Sequence, residues 1–391
     1  MNPELWHAHP VLVLLSWLPV PLGTLALWLP AWPPFARRFS RPWVTWLFFV
    51  FTRLAAGAVL VGTHRPIDWG GFEWLARMAL AGQVPYRDFP TTFAPGLPYL
   101  MAAGYLLSPV WGFLVLFILA DLTAFLTLSR LCGDVAPRTD SPAWAYLAFP
   151  PVWYFETRYG QEEALAALFL ALALLALARQ HVVRTGLALA AGQLATKILF
   201  GLAALPLLFA RRTPLATRVA YLAPVAAAYL VMPAIGMPWW RDIEVHAVEF
   251  GVGPTLWRLP ALWLGLELGR FAMLPFAALL ALGWWRLWRR EADGVELGAW
   301  LWGCFALLAP KMWPMYVVVV SPLLAVWVSR GGRPRFIWWG LYGFAFSTVW
   351  YADSGPIQGL LGPAGVALAA FVLTFAVALD AWLLLEVWRR A

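Results

Sequence analysis

The sequence predicts an all-α, polytopic integral membrane protein, and three observations predict it. Of 391 residues, 62% are hydrophobic and 12% charged, with a mean hydropathy of +0.71. Soluble domains run at about 45–50% apolar and about 25% charged, which excludes a water-soluble fold. Apolar stretches near span length recur along the whole chain. The basic residues between them are almost all arginine, and they come in short clusters, as the positive-inside rule asks of cytoplasmic loops.

Taken in order, the apolar segments are 11–32, 43–62, 95–107, 109–131, 143–157, 161–179, 185–210, 219–237, 259–288, 297–309, 313–329, 336–352 and 359–388. Residues 1–391 read as a single transmembrane domain. A spanning helix needs about 20 apolar residues, and several segments are shorter or longer than that, so about 11–13 transmembrane helices are expected. The segment 11–32 stands apart as an extra N-terminal hydrophobic segment. No segment repeats another.

The clusters are Arg37-Arg38 with Arg41, Arg179 with Arg184, Arg211-Arg212 with Arg218, Arg286 with Arg289-Arg290, Arg330 with Arg333 and Arg335, and Arg389-Arg390. Placed in the cytoplasm, they put 63–94, the neighbourhood of Glu156–Glu163, 238–258, the neighbourhood of Lys311 and 353–358 on the opposite face. Two places resist simple crossing. Four full spans between 94 and 179 would carry Arg179 to the wrong side, so one of them is expected to be a half-helix or interfacial. The segment 185–210 has basic clusters at both ends and Lys197 at its middle. A hairpin of two half-helices with the lysine near its tip keeps both clusters inside, and such breaks are tolerated only where they line a protein cavity.

The net charge is +8, yet the arginines form no patch on a soluble domain, and nucleic acid is not an expected partner. Cys132 and Cys304 stand alone in apolar surroundings, without disulfide or metal-ligand spacing. Lys197 and Lys311, the only lysines, both lie in apolar stretches. A lysine there either snorkels to the interface or holds an anion with its compact charge. Arg53 falls midway along 43–62 and is expected to pair with Asp121 or Glu267.

The region 63–94 carries the densest chemistry. Phe72, Leu75, Met78 and Ala79 recur at helical spacing, and Glu73 and Arg77 form an i,i+4 pair, so a short amphipathic helix on the membrane surface is expected there, ended by Gly82. Asp68 lies just past a span and ahead of that helix, where a lipid head group and a water-borne acceptor can meet. Sugar transfer from a lipid-phosphate donor suits that place. A carboxylate takes the acceptor's hydroxyl proton, while cations stabilise the departing phosphate. Asp68 is the first candidate for the base and Asp88 the second; structurally, Asp68 can instead cap the helix and Asp88 can close a turn. Arg158 is placed to meet a head group. Trp69, Trp74 and Trp313 either stack on a sugar ring or pack in the protein and its interfacial belts. Arg241, Asp242, Glu244, His246 and Glu249 read as a solvated loop face rather than a metal site.

These features resemble the first outer loop of the GT-C glycosyltransferases, and most closely the bacterial polyprenol-phosphate-mannose-dependent mannosyltransferases. The resemblance rests on Asp68, Gly82, Pro85-Tyr86 and Phe93-Ala94-Pro95; on Gly160-Gln161-Glu162-Glu163 followed by Gly186, Lys197 and Pro206; and on Pro310-Lys311 through Tyr316 and Ser321-Pro322. It covers residues 43–330, although Glu162-Glu163 stand where the family more usually has Asn or Asp. It implies a GT-C-like fold and an inverting hexosyl transfer, of mannose by preference, from a polyprenyl-phosphate donor. The acceptor is a glycan, lipid or protein on the outer face of a bacterial plasma membrane. Asp68 or Asp88 is then the base. Lys311, Lys197 and Arg158 surround the donor phosphate, and Tyr86, Gln161, Glu162, Trp69 and Tyr316 contact substrate. No cofactor is required, and a divalent cation at the phosphate is admissible.

Two other classes compete. A transporter or flippase for a lipid-linked or anionic solute predicts internal repeats with paired broken helices. A lipid-linked glycan polymerase or ligase predicts a large outer loop rich in Arg and His, whereas 63–94 holds one His.

Overall fold

The structure is a computed structural model that describes residues 10–29, 41–60, 68–133, 138–240, 255–266, 268, 271–353 and 363–390. It is about 79% helical. Among the described residues there is no strand, only isolated bridges between Pro85 and Phe89 and between Phe93 and Lys197. Among the described residues, four helices are long and apolar enough to cross a membrane: Pro42–Val59, Gly112–Cys132, Leu215–Ala234 and Ala364–Arg390. Side chains such as Leu106, Leu274 and Phe371 stand exposed on the outside of the bundle. Water would penalise such a surface and lipid does not. Both observations fit the expected all-α membrane protein.

The basic clusters converge at one end of the bundle. Helix α1 (Pro10–Trp17) leads into α2 (Pro19–Trp28), where Trp28 donates to the carbonyl of Ile337 at 3.1 Å. Arg211 and Arg212 reach Glu291 at 3.0 and 2.7 Å, Arg330 pairs with Asp293, and Glu386 takes Arg335 at 3.4 Å and Arg390 at 2.7 Å. Arginines in a helix's last turn also face the negative end of its dipole, as Arg389 and Arg390 do in Pro363–Arg390. Arg37, Arg38, Arg241–Glu249 and Glu267 lie outside the described residues.

The stretch 94–179 combines short, long and broken helices. After α3 (Pro42–Ala56) and the amphipathic α4 (Trp69–Leu80), helix α5 covers only Leu97–Leu107, about 16 Å and half a membrane. Helix α6 (Gly112–Cys132) is full length at about 31 Å. The next passage is broken. Ser141 caps α7 (Pro142–Leu147) by accepting from the Trp144 amide at 3.2 Å; Pro150-Pro151 then force a restart as α8 (Pro150–Trp153), and a π turn, Tyr154–Arg158, follows. Helix α9 (Glu163–Ala178) returns toward the basic end.

The segment 185–210 folds as the expected hairpin. Helix α10 (Val182–Ala195) breaks at Thr196–Leu199, and α11 (Phe200–Phe209) runs back beside it. Both outer ends sit on the start of α12 (Leu215–Ala234): Thr217 donates to the Val182 carbonyl at 3.0 Å, and Arg218 donates to Leu208 at 3.0 Å and Ala210 at 3.3 Å. The tip is held by Gln193 donating to Ile198 at 3.2 Å and Thr196 to Gly192 at 2.7 Å. At Gly192 a Cβ would lie 2.4 Å from the Phe200 ring, so only glycine lets the two halves approach. The remaining helices are α13 (Arg258–Leu264), α14 (Met273–Arg289), α15 (Gly294–Leu308), α16 (Tyr316–Gly331), α17 (Arg333–Asp353) and α18 (Pro363–Arg390).

Candidate active site

The end of the bundle away from the basic clusters gathers most of the sequence-predicted residues. Helix α4 buries Trp69, Phe72, Leu75 and Ala76, and Glu73 and Arg77 pair on its outer side at 2.5 Å, as expected. Gly82, with φ +75°, turns the chain out of the helix. The loop then ties itself down. Asp88 accepts from the Val84 amide at 2.7 Å and from Arg87 at 3.0 and 2.9 Å. Tyr86 adopts φ +66°, its amide donates to Phe89 at 2.9 Å, and its hydroxyl donates to the Phe93 carbonyl. The loop finally docks on the hairpin tip, where Ala94 donates to Thr196 at 3.0 Å and Gly96 to Leu194 at 2.8 Å.

Docking brings Phe93 against Lys197. The ammonium lies 2.6 Å from Glu162, 2.6 Å from Glu163, 5.6 Å from the Phe93 ring and 5.2 Å from the Tyr316 ring. Glu162 and Glu163, 1% exposed, open α9, and Gln161 precedes them. Gln161 is buried, and its amide donates to the carboxylate of Asp68. Asp68 is exposed and makes no capping hydrogen bond to α4. The capping alternative for Asp68 therefore fails. A solvent-facing carboxylate is instead held by an amide from the far side of the site.

Other sequence-predicted roles are corrected. Asp88 closes a turn: its carboxylate accepts from the Val84 amide and from Arg87, which hold it down to about 2. Trp69 is 2% exposed and wedged edge-on against Trp111 and Phe113, so packing rather than sugar stacking occupies its ring. The Tyr86 hydroxyl is spent on the Phe93 carbonyl, making it a loop anchor rather than a substrate contact. Lys197 faces two carboxylates against its single charge, which opposes an added phosphate and removes it from the donor's cations. Glu162 correspondingly holds Lys197 rather than substrate.

Arg158 is buried on the π turn, with its guanidinium 5.7 and 5.6 Å from the Tyr154 and Tyr159 rings. Lys311 is half-buried in the connection between α15 and α16, 5.8 Å from the Trp313 ring and five residues before Tyr316. Glu163 and Phe93 were not singled out as site residues. The signal for Glu163 was an acid pair opening an otherwise apolar helix in a chain with one mid-segment lysine still unpaired on paper. Among the described residues no group of three or more His, Cys, Asp or Glu side chains is arranged to hold a metal ion. No family model, curated protein or solved structure matches the chain.

Proposed function

We propose that the chain is an inverting glycosyltransferase of GT-C-like architecture. It moves a hexosyl group, mannose by preference, from a polyprenyl-phosphate donor to a glycan, lipid or protein acceptor outside a bacterial plasma membrane. One observation carries the reading: Asp68, exposed at the end of the bundle opposite the arginines, is oriented by Gln161 rather than used as a helix cap. In this reading the basic end is cytoplasmic, the chain crosses about eleven times, α10 and α11 re-enter from the cytoplasm, and α4 lies in the outer interface.

Asp68 accepts the acceptor's hydroxyl proton as that oxygen attacks the anomeric carbon. The bond from that carbon to the phosphate oxygen breaks on the opposite face, and polyprenyl phosphate leaves with the electron pair. Lys311 and Arg158 supply positive charge to the departing phosphate. Tyr316, whose ring covers Lys197, walls the site. The test is transfer of radiolabelled mannose from polyprenyl-phosphate mannose to membrane acceptors. Wild type transfers label and Asp68→Ala does not; equal transfer by both rejects Asp68 as the base.

The hairpin α10–α11, with its charged tip, also supports a second reading, a transporter or flippase for a lipid-linked or anionic solute. Movement of such a solute across proteoliposomes by both wild type and Asp68→Ala, without sugar transfer, would favour it.

A further inference from the structure

A second polar cluster lies inside the bundle, walled by α3, α6, α7 and the π turn. Arg53 donates through Nε and Nη2 to one carboxylate oxygen of Asp121, at 3.0 and 2.6 Å, and through Nη1 to Thr52 at 2.9 Å, while its guanidinium covers the Phe49 ring at 4.1 Å. That arrangement uses one oxygen of Asp121. The other, Oδ1, has no hydrogen-bond partner among the described residues, nor does either oxygen of Glu156 or the hydroxyl of Tyr146. All three side chains are at least 99% buried. Yet they are neighbours: Glu156 and the Tyr146 hydroxyl both lie near enough to the Asp121 carboxyl for a proton to bridge them to it. Asp121, Glu156, Tyr146 and Arg53 are the titratable and charged groups that meet there.

Two carboxyl groups side by side offer only acceptors unless something positive lies between them. One arginine balances one of the two. An uncompensated carboxylate in a lipid-embedded interior is strongly disfavoured, so the cluster requires one further positive charge. The buried atoms are all hard oxygens contributed by three separate elements, and the Tyr146 phenol adds a fourth beside the Asp121 carboxyl. We propose that Asp121, Glu156 and Tyr146 form a binding site for one exchangeable monovalent cation, a proton or a sodium ion.

The site's position gives it a consequence. Glu156 belongs to the π turn, and the Gln161 amide donates to the Phe155 carbonyl in that same turn at 3.2 Å. π turns are strained relative to α-helix and recur at functional sites. A cation that draws Glu156 toward Asp121 fixes the turn, and the turn fixes the residue that holds Asp68. The inference does not depend on what Asp68 does, because the unpaired oxygens exist whatever reaction the outer site performs.

The test compares full-length wild type with Glu156→Gln in lipid nanodiscs, measuring Tm in choline chloride and in sodium chloride at equal ionic strength, across acidic to alkaline pH. The glutamine places a neutral donor beside Asp121, so it should remove the dependence on the ligand without removing the fold. If sodium is the ligand, exchanging choline for sodium at alkaline pH raises the wild-type Tm by a few degrees and leaves Glu156→Gln unmoved. If the ligand is a proton, acidification raises the wild-type Tm relative to the variant without a sodium effect, and the infrared band of a protonated carboxyl is lost in Glu156→Gln. Identical responses of the two proteins to both sodium and pH overturn the proposal. Tyr146→Phe, which keeps the ring and removes the ligand oxygen, should weaken the sodium or proton response without abolishing it.

Discussion

The side-chain amide of Gln161 donates to the carboxylate of Asp68, 93 positions earlier, while Asp68 leaves the helix behind it uncapped. A helix N-terminus usually takes such a carboxylate for itself, because its first amides lack partners. Here the side chain points to the opening of α9, beside the Glu162–Lys197–Glu163 cluster. Gln161 thereby becomes a positioning residue for the proposed base. Gln161→Ala should lower kcat by about one to two orders of magnitude, less than the two to four orders that removal of a positioned base costs. Donor KM should hardly move, since Gln161 contacts Asp68 and not the donor in this reading. Steady-state kinetics separate the outcomes; a KM effect with kcat intact would place Gln161 on substrate instead.

Lys197 is expected to matter for folding more than for phosphate. Lys197→Met leaves Glu162 and Glu163 buried without a cation, a loss of about 3–5 kcal/mol by analogy with other broken buried pairs. Adding Glu163→Gln should recover part of it. Denaturant or thermal unfolding of the four proteins of that cycle measures the coupling, and additive effects would show Lys197 and Glu163 to be independent.

Lys311 carries the opposite expectation. Lys311→Met should raise the KM for the polyprenyl-phosphate donor about tenfold or more, through loss of a charge-assisted contact, while acceptor KM and Tm change little. Unchanged donor kinetics would remove Lys311 from the phosphate site.

Asp88 should behave as a loop fastener. Its carboxyl is held down to about 2, below the ordinary value of 3.8, by Arg87 and the Val84 amide. A depressed value means that its contribution is complete above the ordinary carboxylate range and disappears as pH falls through about 2. Protection of the Val84 amide against hydrogen exchange should therefore persist through mildly acidic conditions. Asp88→Ala should lose that protection at neutral pH, and the activity–pH profile should carry no inflection from this group. Undiminished Val84 protection in Asp88→Ala would show that Asp88 does not hold the turn.

The proposed orientation is open to labelling. In a background with Cys132 and Cys304 replaced by alanine, a cysteine at Ala81 should react with a membrane-impermeant maleimide on intact cells, and one at Ala178 only after permeabilisation. Ala81 ends α4, whereas Ala178 lies beside the Arg179 cluster. The reverse pattern would invert the molecule and put Asp68 in the cytoplasm.

Much of the architecture was legible before any coordinates. Charge bookkeeping suggested a half-helix or interfacial segment between 94 and 179 and a hairpin around Lys197, and the short α5 and the turn between α10 and α11 are the elements found there. The Glu73–Arg77 pair and the apolar stripe of α4 were readable because they are neighbours along one helix. Arg53 with Asp121 was readable as well, since a charge inside a span has few partners available. The roles of Asp88, Trp69, Tyr86 and Lys197 were not. Each depends on what the fold brings alongside it: Arg87 and the Val84 amide, Trp111 and Phe113, the Phe93 carbonyl, and a pair of glutamates.

By itself the sequence determined an apolar, all-α chain, the clustering of its arginines, the broken segments and the amphipathic helix after Asp68. These follow from composition, from short-range period and from the cost of putting charge in lipid. Tertiary structure alone decided that Gln161 holds Asp68, that Lys197 serves two glutamates, and that Asp121 and Glu156 share an interior whose one arginine is bonded to Asp121. A buried polar group takes whichever partner packing delivers, and for these residues that partner comes from a distant helix.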